Sequence, residues 1–147
     1  MTMTVAGVVM AGGQSRRMGF DKLALRYQGV DLVSWAARRL HDCCDRVVIS
    51  GNTCNIEGMT CDFVPDSIPG LGPLGGLSCV MHAVVADRYL VLAADLPMVP
   101  LSLLETLAFH STHAAIVPRG GTEMLEPLCA CYPRTALPQL DRLLSEG

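Results

Sequence analysis

Val5-Ala-Gly-Val-Val-Met10 is an unbroken apolar run, and it leads directly into Ala11-Gly-Gly-Gln-Ser-Arg-Arg-Met-Gly-Phe-Asp-Lys22. The apolar run predicts a strand that is covered on both faces, as in the parallel sheet of an α/β protein. The second stretch combines glycines, whose backbone N–H groups can face an anion, with the cations Arg16, Arg17 and Lys22. Because α/β proteins bind phosphate where a strand enters such a loop, we expect a phosphate site here. A solvated surface turn with incidental arginines is the alternative interpretation.

Strand-like and helix-like segments alternate along the rest of the chain. Further strands are predicted at 46–50, 61–64, 89–94, 114–118 and 127–132, and helices at 31–43, 74–86, 101–110 and 135–146. Asp31 is expected to be the N-cap of the first helix, with Arg38 and Arg39 on its outward face. Strands separated by helices form a mainly parallel sheet. The predicted fold is therefore a three-layer, Rossmann-like α/β domain with a mainly parallel sheet, a single domain over residues 1–147.

Composition limits the classes of function that are open to the chain. Its 147 residues are half hydrophobic and carry a net charge of −3, which argues against binding to nucleic acid or to a membrane surface. We find no apolar run of transmembrane length and no signal peptide, so a cytoplasmic location is expected. The seven cysteines include the adjacent pair Cys43 and Cys44 but no C-x-x-C, so neither a disulfide framework nor a zinc finger is expected.

A second glycine-rich stretch, Gly70-Leu-Gly-Pro-Leu-Gly75, matches the G-x-G-x-x-G pattern of dinucleotide-binding proteins. It lies on the third predicted strand-to-helix turn, whereas the dinucleotide pattern belongs on the first. Pro73 also lacks the N–H group that such a turn donates to a pyrophosphate. We therefore do not expect a dinucleotide site. Two interpretations of this stretch remain equally open. It is either a turn that leads into a helix or a loop whose backbone approaches a mononucleotide.

Asp95 follows a predicted buried strand and precedes Leu96-Pro97, so it should face the cleft at the end of the sheet. Mg²⁺ binds carboxylate oxygens and usually shares them with the phosphates of a substrate. Asp95 is therefore predicted to be a Mg²⁺ ligand, and the alternative is a helix N-cap or loop anchor. The four histidines lie on predicted helices or just beyond them, where no nucleophile is paired with them.

The loop Ala11-Gly-Gly-x-Ser-Arg-Arg-Met-Gly-x-Asp-Lys22 resembles the signature of the molybdenum cofactor guanylyltransferase (MobA) family. Asp66-Ser-Ile-Pro-Gly-Leu-Gly-Pro-Leu-Gly-Gly-Leu77 is similar to a second loop of that family, and Pro127-Leu-Cys-Ala-Cys-Tyr132 looks like one of its strands. Members of the family join GMP, taken from GTP, to molybdopterin and release pyrophosphate. The resemblance spans nearly all of the chain, but it does not reach the C-terminal segment that family members carry.

The resemblance implies that the predicted α/β domain is a nucleotidyltransferase domain with a site for GTP and Mg²⁺. The residues that it implies for nucleotide binding are Met10, Ala11, Gly12, Gly13, Ser15, Lys22, Asn52, Asp66 and Asp95. Those that it implies for catalysis are Arg16, Arg17, Lys22 and Asp95, with Asp95 also holding the metal. Asp66 suits the nucleoside because one carboxylate can accept the two N–H groups of guanine or the hydroxyls of a ribose.

Two other functions stay open at this point. One is a related nucleotidylyltransferase that uses CTP, or a sugar phosphate as acceptor, because the same fold and phosphate loop would serve it. The other is a GTP-binding protein without catalysis. GTP and molybdopterin are the predicted small-molecule partners, and other proteins of molybdenum cofactor synthesis are candidate protein partners. The sequence does not indicate an oligomeric state.

Overall fold

A computed structural model describes residues 2–11, 25–51, 56–67, 70–121 and 123–147. Its strands are β1 (Val5–Met10), β2 (Arg26–Tyr27), β3 (Val30–Asp31), β4 (Arg46–Ser50), β5 (Asp62–Val64), β6 (Arg88–Ala93) and β7 (Cys129–Pro133). Its helices are α1 (Leu32–His41), α2 (Gly72–Ala83), α3 (Leu101–Phe109) and α4 (Leu137–Glu146). In this part of the chain, no helix has both the length and the apolar character needed to cross a membrane.

Five of the strands form one sheet in the order β5-β4-β1-β6-β7. The first four run parallel, and β7 runs antiparallel to β6. The central strand β1 is buried at every position, as its apolar sequence predicted. Its last residue, Met10, is in register with Ser50 of β4 on one side and Ala93 of β6 on the other. The prediction of a mainly parallel sheet is confirmed.

Helices cover both faces of this sheet. Val5 and Val9 of β1 belong to a core cluster that also contains buried residues of α1 and α3. Val8 and Met10 point to the other face, where they join buried residues of α2 and α4. Successive residues of a strand face opposite sides of the sheet, so one apolar strand supplies both cores. The predicted three-layer α/β fold is confirmed, while the extent of the domain over residues 1–147 stays a prediction.

Helix α1 begins where the sequence predicted. Asp31 is its N-cap, and the carboxylate accepts hydrogen bonds from the Ser34 backbone N–H at 2.8 Å and the Ser34 hydroxyl at 2.7 Å. The prediction that Arg39 faces outward is wrong, because its guanidinium lies over the Trp35 ring at 5.6 Å and donates to the Val99 carbonyl. A long apolar stem lets an arginine pack in this way while its charged end finds a partner.

Two segments differ from the predicted secondary structure. Residues 114–118 do not form a strand, and Ile116 makes only an isolated antiparallel bridge with Cys131. The pattern Ala-Ala-Ile-Val-Pro is apolar enough for a strand, but Ala114 and Ala115 are exposed in the fold. Conversely, Arg26–Tyr27 and Val30–Asp31 form a small antiparallel ribbon that we did not predict. Its turn contains Gln28 and Gly29, which both have positive φ angles, of 50° and 81°.

Candidate functional site

The ends of the parallel strands lie side by side at the carboxyl edge of the sheet. Backbone hydrogen bonds join the residues at or just beyond these ends, from Gly51 N to Val64 O (3.2 Å), Ala11 N to Ser50 O (2.9 Å), and Ala94 N to Met10 O (3.2 Å). A fourth bond joins Ala93 N to Leu128 O at 2.8 Å. The segments that follow β5, β4, β1 and β6 therefore start next to one another. This is where ligands bind in open α/β sheets.

Met10 and Ala11 lie in the middle of this edge. Both side chains are buried, with 8% and 6% of their surface exposed. Met10 O and Ala11 N are already used in the bonds to Ala94 and Ser50 that hold the strand ends together. Met10 and Ala11 therefore fix the place from which the cationic loop departs. A direct contact of these two residues with a nucleotide stays a prediction.

Asp66 reaches the same place from the loop after β5. A Cβ atom at Gly76 would lie 2.7 Å from Ser50 Oγ, 3.2 Å from Met10 Cε and 3.9 Å from Asp66 Oδ2. Four segments of the fold thus meet at this glycine: the ends of β1 and β4, the Asp66 loop and the first turns of α2. We did not predict Ser50, which is buried at the end of β4. A serine that ends an otherwise apolar strand is the signal that could have indicated it.

The glycines of the Gly70–Gly75 stretch shape the entry to α2. Gly70 and Gly72 have φ angles of 87° and 62°, in the left-handed region that residues with a side chain rarely adopt. α2 begins at Gly72, two residues earlier than predicted, and Pro73 lies in its first turn, where a missing N–H is tolerated. This loop follows β5, at the edge of the sheet, rather than the central strand. That the loop is not a dinucleotide fingerprint stays a prediction.

Asp95 lies at the end of β6, across β1 from Asp66. Its side chain is exposed, and the loop that carries it is fixed by bonds from Ala94 N to Met10 O and from Trp35 Nε1 to Pro97 O (2.9 Å). Within the described ranges, the Asp95 carboxylate makes no hydrogen bond or ion pair. Asp95 does not cap the next helix, because the N-cap of α3 is Pro100. The alternative interpretation of Asp95 as a helix cap is therefore wrong.

Several predicted site residues lie outside the described residues. They are Gly12, Gly13, Ser15, Arg16, Arg17, Lys22 and Asn52. The chain enters the first of these segments from Ala11 and the second from Gly51, so both begin at the carboxyl edge. The structure therefore brings Met10, Ala11, Asp66 and Asp95 to one edge of the sheet, and the roles of all the predicted site residues stay predictions.

One further polar cluster joins α2 to α4. Asp141 accepts a hydrogen bond from the Ser78 hydroxyl at 2.8 Å, and its other oxygen lies 2.8 Å from His82 Nε2. The carboxylate stands between the hydroxyl and the imidazole, whereas a catalytic triad needs the imidazole next to the hydroxyl. Ser78 is also buried. The cluster is thus a link between the two helices.

Comparison with known proteins identifies the family. The family model of the MobA-like NTP transferase domain matches residues 7–147. The chain is 34% identical to a probable molybdenum cofactor guanylyltransferase of Chloroflexus aggregans, over 99% of this chain and 73% of that protein. It is 32% identical to the molybdenum cofactor guanylyltransferase of Syntrophotalea carbinolica, over 97% of this chain and 69% of that protein.

A solved structure has the same fold. It is the molybdopterin-guanine dinucleotide biosynthesis protein A of Archaeoglobus fulgidus, with a TM-score of 0.74 and 24% identity. The match covers 97% of this chain and 74% of that one. The predicted fold, family and enzyme class are thus confirmed together. The chain belongs to the MobA-like NTP transferase family, and it is a nucleotidyltransferase related to the molybdenum cofactor guanylyltransferases.

Proposed function

We propose that this nucleotidyltransferase moves GMP from GTP to molybdopterin and releases pyrophosphate. The names of its relatives support the reaction class. The observation that carries the proposal is the arrangement of the carboxyl edge, where Asp66 and Asp95 lie on opposite sides of the end of β1. The loop with Arg16, Arg17 and Lys22 begins between them, directly after Ala11.

This arrangement divides the substrate between two sides of the central strand. Asp66 and Asn52 follow β5 and β4, so we assign the nucleoside to that side. Asp95 follows β6, so we assign the phosphates and the acceptor to the other side. The glycines and cations after Ala11 would hold the triphosphate from the middle. Neighbouring strands of a sheet are about 4.8 Å apart. The row of four strand ends from β5 to β6 is therefore wide enough for a nucleoside triphosphate.

Asp95 suits a magnesium ion of the kind that substrates bring with them. Among the described residues, no three His, Cys, Asp or Glu side chains are grouped to hold a metal. Mg²⁺ does not need such a group, because it is usually bound by one or two carboxylates together with substrate phosphates and water. The exposed Asp95 carboxylate fits that donor set, and a bound Mg²⁺ would neutralise part of the negative charge of the substrate phosphates.

The reaction that we propose is an in-line displacement at the α-phosphorus of GTP. An oxygen of the terminal phosphate of molybdopterin forms the new bond, and the bond from the α-phosphorus to the bridging oxygen of pyrophosphate breaks. Such a transfer needs positioning and charge neutralisation more than a protein nucleophile. Arg16, Arg17 and Lys22 would supply the cations, and each hydrogen bond to a charged group contributes about 1.5–3 kcal/mol.

The location of the protein in the cytoplasm is also part of this proposal.

Thermal unfolding with GTP, CTP, ATP and NAD, each with Mg²⁺ and with a chelator, tests the nucleotide half of the proposal. GTP at a hundred times its dissociation constant should stabilise the protein by about 2.7 kcal/mol. The expected result is a shift that requires Mg²⁺ and is specific for GTP, followed by release of pyrophosphate when molybdopterin is added. A preference for CTP would favour the cytidylyl alternative, and GTP binding without pyrophosphate release would favour the non-catalytic one.

Asp95→Asn and Lys22→Ala should each lose turnover while the fold stays intact. Asparagine keeps the shape of Asp95 but removes the negative charge that a cation needs, and alanine removes the predicted phosphate cation. Pyrophosphate release and the unfolding temperature should be measured together, with Asp42→Asn as the matched control because Asp42 is an exposed carboxylate just after α1. Normal turnover in either variant would refute the role of that residue.

A further inference from the structure

Cys43 and Cys44 form a pair of thiols at the opposite edge of the sheet. They follow the end of α1, and their Sγ atoms lie 4.0 Å apart. Cys43 is buried and Cys44 is partly exposed, and both line a cleft of about 510 Å³ at the ends of α1 and α3. Asp45, directly after the pair, donates its backbone N–H to Val5 O at the start of β1. The pair therefore lies at the amino edge, away from the candidate nucleotide site.

The separation of the two sulfur atoms suits a bridging metal better than a disulfide. A disulfide needs its sulfurs about 2.04 Å apart, so the two atoms would have to approach by about 2 Å. A metal with two bonds to sulfur of about 2.3 Å would span the observed 4.0 Å with an S–metal–S angle of about 120°. This is the angle of trigonal coordination. The observed separation of the two sulfurs therefore matches that of two ligands to one such ion.

An ion that binds the pair has to displace both thiol protons. The hydrogen bond from Cys44 lowers the pKa of Cys43, whereas that bond and burial raise the pKa of Cys44, so the Cys44 proton is the harder one to displace. A thiophilic cation replaces these protons, because sulfur coordinates as the thiolate. Two protons are thus released for each ion that the pair binds.

The number of available ligands decides which cation fits. In the part of the chain that the structure describes, no third Cys, His, Asp or Glu is grouped with these sulfurs. Structural zinc takes four protein ligands, whereas thiolates also select monovalent copper. Both cysteines line the cleft of about 510 Å³, from which solvent can supply a third ligand. A cation that coordinates only two or three ligands is therefore favoured over zinc.

We propose that Cys43 and Cys44 bind one soft, thiophilic cation of low coordination number. Monovalent copper, Cu(I), is the cation with which we would test this binding. The proposal does not depend on the nucleotidyl transfer, because the pair lies at the other edge of the sheet from Asp66 and Asp95.

Competition with a coloured copper(I) chelator, under anaerobic and reducing conditions, tests the proposal. The wild-type chain should remove one copper(I) per molecule from the chelator, and Cys44→Ser and Cys43→Ala should each weaken this binding at least tenfold. The matched control is a chain with Cys54→Ser, Cys61→Ser and Cys79→Ser, which should bind as the wild type does. Circular dichroism of each variant checks that it is folded, and Cys44→Ser is the decisive variant because Cys44 is only partly buried.

Two results would overturn the proposal. One is copper binding that is unchanged in the folded Cys44→Ser variant, and the other is binding that disappears in the control with three other cysteines replaced. GTP stabilisation, measured on the same samples, separates this proposal from the proposed function. A chain that binds copper through the pair but does not bind GTP would refute only the proposed function.

Discussion

Gly76 allows α2 to approach the ends of β1 and β4 more closely than a residue with a side chain could. Gly76→Ala should lower stability by about 1–3 kcal/mol, because the new methyl group would overlap Ser50 Oγ and Met10 Cε. It should also reduce the GTP-dependent thermal shift, since Asp66 packs at the same place. Denaturant unfolding with and without GTP is the measurement. Gly121→Ala is the matched control, as no atom lies within 4 Å of its added Cβ.

Arg88 is a buried cation with few partners. It is 2% exposed, its Nη1 donates to the His110 carbonyl, and its Nε and Nη2 have no hydrogen-bond partner within the described residues. Replacing a poorly paired buried charge with an apolar side chain of similar size is often neutral or stabilising. Arg88→Met should therefore leave the free energy of unfolding unchanged or raise it by about 1–4 kcal/mol.

Arg134→Met provides the contrast, because Arg134 donates to Met81 O at 3.0 Å and to the buried Tyr89 hydroxyl. This change should destabilise the protein, since it removes bonds from buried acceptors. Urea unfolding of both variants gives the comparison. A larger loss in Arg88→Met than in Arg134→Met would contradict our view of Arg88.

At the scale of elements, the N-cap of α1 is the one helix start that a side chain stabilises by hydrogen bonds among the described helices. Asp31→Ala should cost about 1 kcal/mol, because the Ser34 N–H and hydroxyl both lose their acceptor. Ser102→Ala, in the exposed first turn of α3, is the control and should change little. Thermal unfolding measures both, and equal effects would contradict the capping role.

Strands and helices were predicted well from the sequence where an apolar run is long, or where a polar residue occupies a recognisable capping position. β1 and β4 were predicted with their observed bounds, and Asp31 was identified as a cap. The prediction of a strand at 114–118 was wrong, because a strand also needs a neighbouring strand to pair with. In this segment only Ile116 pairs, through an isolated bridge to Cys131. The β2–β3 ribbon was missed because two-residue strands carry too short a pattern to detect.

The same distinction applies to the candidate site. The order of strand ends follows from the parallel topology, so the sequence could place Asp66 and Asp95 at one edge of the sheet. The close packing of Gly76 against Ser50 could not be predicted, because it depends on how near α2 lies to the sheet. Distances between elements are set by the packed core, which no local pattern records.

At the scale of the whole molecule, stability should fall in alkaline solution. Burial is the main cause that raises the pKa of Cys129 to about 11, and the pKa values of Cys44, Cys61 and Cys131 are raised as well. A thiol that stays protonated in the folded state stabilises it below the unfolded pKa of about 8.5. This stabilisation is lost as the pH rises towards 11, by at most about 1.4 kcal/mol per pH unit for a fully buried thiol and by less for the partly exposed Cys44 and Cys61.

Urea unfolding between pH 7 and pH 10.5 measures this loss. Cys129→Ala should flatten the alkaline part of the curve. Ser102→Ala, which removes no titratable group, should leave the slope as in the wild type. The lowered pKa of Cys43 acts in the opposite sense, so the net slope reports the sum. A stability that is constant up to pH 10.5 would contradict the expectation.

The central strand has one more consequence, which concerns the exchange of amide hydrogens with solvent. β1 is hydrogen-bonded to a strand on both sides and covered by helices on both faces. Its amides should exchange only when the whole domain opens, whereas those of β5, at the sheet edge, should exchange through smaller openings. The loop predicted to hold phosphate begins directly after β1. The chain therefore fixes one end of that loop to the part of the protein that opens last.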